Sequence, residues 1–234
     1  MKTKNLLLGL FLLISFGVVL FLIFMPIFGD GKNGLEYTDD FFNRLAKGSS
    51  NYMNDMRKIA QPLVGTPVVA EITLGSPENA KKAEILFSQA GAQVEAAGPV
   101  LKINGDLGKI LLKAVDDAEA LFNNRGEELR AKYHYNSKEV VKTWWVSLNN
   151  LAASLKKQKK FKQYKVVGEV QKRALEPGYN FFGVTPAKVA DNAGMLTFLL
   201  IFYVVYTLWF GFGIYELFEG LGLSMEKPVS KEEV

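Results

Sequence analysis

Two long apolar runs, one near each end of the chain, dominate the hydrophobic pattern. The first covers residues 6–28 and contains no charged residue. The second is apolar from Met195 to Tyr215 and is rich in aromatic side chains. A helix rises about 1.5 Å per residue, so either run is long enough to cross a hydrocarbon core of about 30 Å. The pattern predicts an N-terminal span within residues 1–29 and a C-terminal span at residues 193–219.

A cleaved signal peptide is the alternative for the first run. Its apolar region would be only about 7–15 residues long and would be followed by a small-x-small cleavage site. The run here is longer and ends in Met25-Pro26-Ile27-Phe28 without such a site. We therefore predict an uncleaved signal anchor.

Basic residues outside the two spans indicate an orientation. Lys2 and Lys4 precede the first span, and Lys227 and Lys231 follow the second. Because lysine and arginine near span ends favour the cytoplasmic side, both termini are expected in the cytoplasm. Residues 30–192 then form an extracytoplasmic domain, which is periplasmic if the membrane is a bacterial inner membrane, and residues 220–234 form a short cytoplasmic tail.

The segment between the spans carries both strand and helix patterns. Three short runs predict strands because they are β-branched or alternating and are bounded by Gly, Pro or Asn. Helix patterns follow the first and third runs, each with a capping residue at its start. The strands are expected at residues 68–74, 92–97 and 100–104, and the helices are expected to begin at Ser76 and Asp106. The order β-α-β-β-α predicts a small mixed sheet of three strands with helices on one face.

Residues 137–175 read as one long helix or a helix pair. The apolar stripe slips in phase between Leu155 and Phe161, within the run LKKQKKFKQYK, which holds six lysines. The fold expected from the whole pattern is therefore two transmembrane helices flanking a predominantly helical α+β domain, with a small three-stranded sheet and this long helix or helix pair.

Composition removes several chemistries. The chain has no cysteine, which excludes disulfides, thiolate metal sites and cysteine nucleophiles. His134 is the single histidine, so a His-rich metal site is excluded and a catalytic triad would depend on this one side chain. Adjacent acids such as Asp116-Asp117 point to different sides of a helix and are expected to form a solvated surface. We expect no cofactor, no metal and no catalytic residue.

Candidate interaction residues occur in the middle segment. The tandem Trp144-Trp145 cannot face one core stripe together, so one of them is free to anchor a partner unless the helix is buried on two sides. The basic run is either a solvated helix face or a contact for anionic lipid or an acidic partner. Nucleic acid is not expected as a partner, because the segment is predicted to lie outside the cytoplasm. The basic candidates are Lys156, Lys157, Lys159 and Lys160, in a run that extends to Lys165.

Further candidates lie in the second span. Tyr203 and Tyr206 fall near its middle, where a hydroxyl in lipid needs a hydrogen-bond partner. One face of this span is therefore expected to pack on the first span or on a neighbouring protein. Glu216 falls where the apolar run ends and is expected at the interface.

These features favour a non-catalytic, membrane-anchored accessory or scaffold subunit of a larger membrane protein complex, a hetero- or homo-oligomer in the bilayer. A ligand-sensing or solute-binding module that signals through a partner is the second hypothesis. A membrane-anchored hydrolase that uses carboxylates or His134 is the third.

Overall fold

The computed structural model describes residues 2–223. Residues 224–234, which hold most of the predicted cytoplasmic tail, lie outside the described residues, as does Met1. Two compact units make up the chain: a hairpin unit, residues 1–45 with 187–234, and an α+β domain, residues 46–186.

The described residues form helices and three strands, in the following chain order: α1 Thr3–Phe24, α2 Gly34–Ser49, α3 Met53–Ala60, β1 Pro67–Thr73, α4 Pro77–Gln89, β2 Gln93–Ala97, β3 Val100–Asp106, α5 Leu107–Phe122, α6 Gly126–Tyr133, α7 Ser137–Lys157, α8 Phe161–Val170, α9 Glu176–Asn180 and α10 Ala193–Leu221. A π-helical turn, Gln171–Leu175, joins α8 to α9. The predicted predominantly helical α+β architecture with a three-stranded sheet is confirmed.

Two helices of the hairpin unit have the length and composition of membrane spans. The spans Thr3–Phe24 and Ala190–Leu221 have mean hydropathies of 3.0 and 2.0. Very few of their side chains are covered by the rest of the chain, which distinguishes them from core helices of a soluble protein. Helix α1 ends just before Pro26, as expected of a residue that cannot continue a helix. The orientation of the two helices in a membrane stays a prediction.

Helices α1 and α10 pack antiparallel at close range, and glycine makes the approach possible. A Cβ on Gly9 would lie 2.5 Å from the backbone nitrogen of Leu217, and one on Gly220 would lie 2.5 Å from that of Leu6. Such distances exclude a side chain at either position. Small residues at helix contacts are a common means of association where both helices are apolar.

The sheet of the α+β domain is antiparallel throughout, so the expectation of a mixed sheet was wrong. The strand order is β1-β3-β2, and β3 pairs antiparallel with both neighbours. The tight turn at Gly98, which has a positive φ of 60°, sends β3 back along β2 and into the space beside β1. Strands β1 and β2 are parallel to each other but are separated by β3, so no parallel pair forms.

Helices cover one face of this sheet. In β1, Val68, Ala70 and Ile72 are buried and alternate with exposed residues. Helix α7 contacts β1, whereas α4 and α5 contact the other strands. Asp106 begins α5 as its N-cap by accepting a hydrogen bond from the backbone N–H of Lys109 at 3.1 Å. These contacts enclose one continuous hydrophobic core.

Residues 137–175 form separate helices, so the helix pair is observed and not the single long helix. Helix α7 ends at Lys157 and α8 begins at Phe161, so the break falls within the lysine run where the apolar stripe changes phase. Helical structure continues through Pro177. This residue occupies the first turn of α9, a position that needs no N–H donor.

Candidate functional site

The polar groups on the side of α10 that packs on α1 form hydrogen bonds within the hairpin unit. The ring of Tyr206 stacks on Phe16 with 4.2 Å between centroids, and its hydroxyl donates to the Phe16 carbonyl at 3.3 Å. The indole Nε1 of Trp209 donates to the Leu12 carbonyl at 3.1 Å. Both polar groups therefore have acceptors on α1, as an apolar solvent requires.

Tyr203 lies one helical turn before Tyr206 and is more exposed than Tyr206 is. Its side chain is 69% exposed, and its hydroxyl has no hydrogen-bond partner among residues 2–223. Beside it runs an apolar groove of about 630 Å³ between the ends of α1 and α10 and the start of α2. The groove is walled by aliphatic and aromatic side chains, among them Phe24, Phe42 and Phe198. An unpaired hydroxyl next to an unfilled apolar groove is the arrangement expected where a further helix packs.

Acidic residues at the end of α10 are held by the start of α1. Glu216 accepts a hydrogen bond from the side-chain amide of Asn5 at 2.9 Å, and Glu219 pairs with Lys2 at 2.7 Å. Glu216 therefore lies near the end of α10, and its carboxylate already has a partner in the same chain.

The tandem tryptophans have different environments. Trp144 is fully buried, packs on Phe87 at 5.2 Å between ring centroids and belongs to the core. Trp145 is 38% exposed, and its Nε1 donates to the Glu176 carboxylate at 3.1 Å. Of the two, only Trp145 can contact a partner from the surface.

Trp145 and Tyr179 border an open pocket of about 340 Å³. Val141 and Leu175 form its apolar wall, while polar groups are few and lie at Lys142, Glu176 and Asn180. The π-helical turn ends at this wall, and π-helical turns occur frequently at functional sites. The side-chain amide of Gln171, in that turn, donates to the Trp145 carbonyl at 3.0 Å and fixes the turn against α7.

A buried carboxylate, Asp117, was missed by the sequence analysis, which expected a solvated acidic surface here. Its side chain is almost entirely buried, with the residue 2% exposed. It accepts hydrogen bonds from the Tyr133 hydroxyl at 2.5 Å and from Trp144 Nε1 at 2.8 Å. Lys113 and Lys132 approach it at 3.7 and 3.5 Å. The charge is therefore paired and hydrogen-bonded, as a buried charge must be.

This network alters titration around it. Burial, reinforced by the nearby Asp117 charge, raises the pKa of Tyr133 far above its ordinary value. Burial lowers the pKa of Lys132. The neighbouring acids Asp116 and Glu119 both form ion pairs with the guanidinium of Arg57. The hydrogen bond from Arg57 lowers the pKa of Glu119. Because its donors come from the core and its counter-ions are lysines, Asp117 has the environment of a structural group.

A second buried charge, Lys47, fixes the aromatic connector at residues 179–186 to the α+β domain. Its ammonium donates to the carbonyls of Phe181 and Val184 at 2.9 and 2.6 Å and to the side chain of Asn124 at 3.2 Å. The residue is 2% exposed, and desolvation lowers the pKa of Lys47. The rings of Phe181 and Phe182 pack against the core, so this connector is part of the domain.

The lysine run occupies the turn between α7 and α8. Lys156, Lys157 and Lys159 are exposed, and Lys160 is half-buried. None of the four forms an ion pair with a described residue. Gln158 donates to the Val69 carbonyl at 3.1 Å, which ties the turn to the free edge of β1.

His134 caps the end of α6 in the left-handed region, with φ of 61°, and is exposed. No carboxylate or hydroxyl of the described residues forms a hydrogen bond with its ring. Within residues 2–223 no group of three or more His, Asp or Glu side chains is arranged to hold a metal ion.

The chain matches no protein-family model. No curated protein matches it. No solved structure matches it either. Its function is therefore inferred from its own geometry and chemistry.

Proposed function

We propose that the chain is a non-catalytic, membrane-anchored accessory subunit that binds a partner membrane protein through the apolar groove lined by Tyr203. The observation that carries this proposal is Tyr203, which lines the apolar groove and whose hydroxyl has no hydrogen-bond partner among residues 2–223. In lipid such a hydroxyl gains a hydrogen bond only from another helix or from the lipid headgroup region. The contrast with Tyr206, whose hydroxyl donates to a carbonyl of α1, supports a role for Tyr203 in a contact with a partner.

The partner that fits this surface is a transmembrane helix. A helix that fills the groove would bury the aromatic rings that line it and could offer a backbone carbonyl or a small polar side chain to the Tyr203 hydroxyl. Interhelical hydrogen bonds of this kind contribute about 0.5–2 kcal/mol in membranes. Close packing of protein side chains in the groove, in place of lipid chains, would supply the remaining affinity.

Site-specific photo-crosslinking tests the proposal in native membranes. A photoreactive residue at Tyr203 should yield one discrete heavier product, whereas the same residue at Ile201, which is exposed but does not line the groove, should not. Purification in mild detergent should give a stoichiometric complex that Tyr203→Ala weakens. A lone monomer in that preparation, with equal crosslinking at both positions, would contradict the proposal.

The pocket beside Trp145 supports a second candidate function, the binding of a small apolar ligand by the extramembrane domain. It has a mainly apolar lining with few polar groups, as is typical of ligand sites. A metabolite screen on the full chain in detergent should then find compounds that raise its melting temperature and change Trp145 fluorescence. Trp145→Ala should abolish both effects. Compounds that act equally on this variant would place the binding elsewhere.

A further inference from the structure

The turn between α7 and α8 combines positive charge with backbone strain. Gln158 is the C-cap of α7, Lys159 adopts φ of 59°, and Lys160 donates its N–H to the Leu155 carbonyl at 2.9 Å. The N–H of Lys159 donates to the Lys156 carbonyl at 3.0 Å. This pair of hydrogen bonds is the Schellman arrangement, in which the residue at the left-handed position is usually glycine. Here that position holds a lysine, which is strained in this conformation.

The start of α8 adds a second unfavourable feature. Helix α8 begins without a side-chain cap, so the backbone N–H groups of its first turn have no side-chain acceptor. Lys160 and Lys162 flank this positive end of the helix dipole, where an acidic residue would be favourable. No acidic residue occurs between residues 151 and 168. The start of α8 is therefore electrostatically unfavourable as it stands, and a bound anion would stabilise it.

Two aromatic rings lie in the same turn. Phe161 is 54% exposed, and Tyr164 is exposed one helical turn further on, so the two rings lie on one side of α8. The ammonium of Lys156 lies 5.9 Å from the centroid of the Tyr164 ring. Exposed aromatic rings interleaved with lysines are typical of segments that lie in the interface of a membrane.

We propose that this basic tip, residues 156–165, binds the phosphate headgroups of anionic phospholipids and inserts Phe161 into the interfacial region of the bilayer. The lysines and the uncapped α8 terminus supply donors for phosphate oxygens. A bilayer is favoured over an acidic protein because a purely acidic partner gives no role to the exposed Phe161 ring. The two apolar helices of the chain also keep a bilayer at high effective concentration. This proposal is independent of the helix contact at Tyr203.

Vesicle flotation tests it with the full chain held in nanodiscs of phosphatidylcholine. The protein should bind vesicles that contain phosphatidylglycerol, and not vesicles of phosphatidylcholine alone, with an affinity that falls as salt is raised. Each lysine near an anionic surface strengthens binding about fivefold. Replacement of Lys156, Lys157, Lys159 and Lys160 by Gln should therefore weaken binding at least about a hundredfold.

A matched control variant carries Gln at four exposed lysines elsewhere in the same domain: Lys81, Lys109, Lys142 and Lys172. It has the same net charge as the first variant and should bind almost as the wild type does. If both variants lose affinity equally, binding reflects overall charge and the proposal is wrong.

Lys159→Gly separates binding from stability. Glycine relieves the strain at the left-handed position, so the melting temperature should rise by about 2–5 °C. The loss of one charge should weaken vesicle binding about fivefold. A variant that is more stable and binds vesicles as tightly as the wild type would overturn the role of this lysine.

Phe161→Ser distinguishes lipid from an acidic protein. It should weaken binding to phosphatidylglycerol vesicles while it leaves binding to poly-glutamate unchanged. Tight binding to poly-glutamate that depends on the same lysines, with vesicle binding insensitive to Phe161, would assign the tip to an acidic polypeptide and refute the lipid proposal.

Discussion

Asp117→Ala should be among the most damaging single substitutions in the α+β domain. The change removes the acceptor for the Tyr133 hydroxyl and for Trp144 Nε1, both of which stay buried in the core. A buried donor left without an acceptor costs about 1–3 kcal/mol. Relief of the desolvation of the carboxylate offsets part of this cost, but Lys113 and Lys132 also lose their counter-charge. Removal of one partner of a buried ion pair typically destabilises by about 3–5 kcal/mol, and we expect a net loss in this range.

The loss is large relative to the total stability of a domain, which is typically about 5–15 kcal/mol. For a domain of this size it corresponds to a fall in melting temperature of about 10–20 °C. Tryptophan fluorescence of the full chain in detergent is a suitable readout, because Trp144 itself is part of the network. Asp116→Ala is the matched control: its exposed carboxylate binds only Arg57, and such surface pairs contribute about 0–1 kcal/mol.

A double-mutant cycle with Tyr133→Phe tests the mechanism. Removal of the Tyr133 hydroxyl should destabilise the wild type but should have little effect in the Asp117→Ala background, where the hydroxyl has already lost its acceptor. Additive effects of the two substitutions would show that Asp117 and Tyr133 act independently. Equal, small effects of Asp117→Ala and Asp116→Ala would refute the reasoning from burial.

Three further predictions follow from the packing. Gly220→Leu should destabilise the hairpin unit by about 2 kcal/mol or more in a detergent-unfolding titration, because a side chain there meets the α1 backbone, whereas Gly211→Leu, which has no neighbour within 4 Å, should be neutral. Burial raises the pKa of Tyr135, so above pH about 10 the folded state keeps the hydroxyl proton that the unfolded chain loses. The free energy of unfolding should therefore fall by about 1.4 kcal/mol per pH unit because of this group. Tyr135→Phe should remove that part of the pH dependence in thermal melts at alkaline pH. Lys47→Met should lower stability by about 1–3 kcal/mol and accelerate hydrogen exchange at Gly183, and an unchanged exchange rate would contradict its role in holding the connector.

Local patterns predicted the strands and most helix starts, because these depend on neighbouring residues. The β-branched run after Pro67 became β1, and Ser76 caps α4 by accepting from the N–H of Asn79. Pairing of the strands is a tertiary property. Nothing local showed that β3 would lie between β1 and β2, and for that reason a mixed sheet was wrongly expected.

The burial of Asp117 could have been predicted from its position in the helical repeat alone. It lies on the same helical stripe as Ile110, Ala114 and Leu121, all of which are buried. The adjacency of two acids hid this signal, since an acid pair usually marks a solvated surface. Trp144 gave the same signal more clearly, at the spacing of Val141 and Leu148. Its donor contact with Asp117 required the fold, because the two residues lie on different helices.

The contacts of α10 separate its two central tyrosines in a way that sequence could not. Both were expected to need a partner, and the heptad-like spacing of Tyr206, Trp209 and Gly213 directs those positions to α1. Tyr203 falls outside that spacing. Its hydroxyl has the same need for a hydrogen-bond partner, and no group among the described residues of the hairpin unit supplies one. The Tyr203→Phe substitution therefore tests whether the Tyr203 hydroxyl serves a partner helix or stabilises the hairpin itself. It should leave the hairpin as stable as in the wild type if Tyr203 serves a partner helix, and any loss should then occur only in the assembled complex.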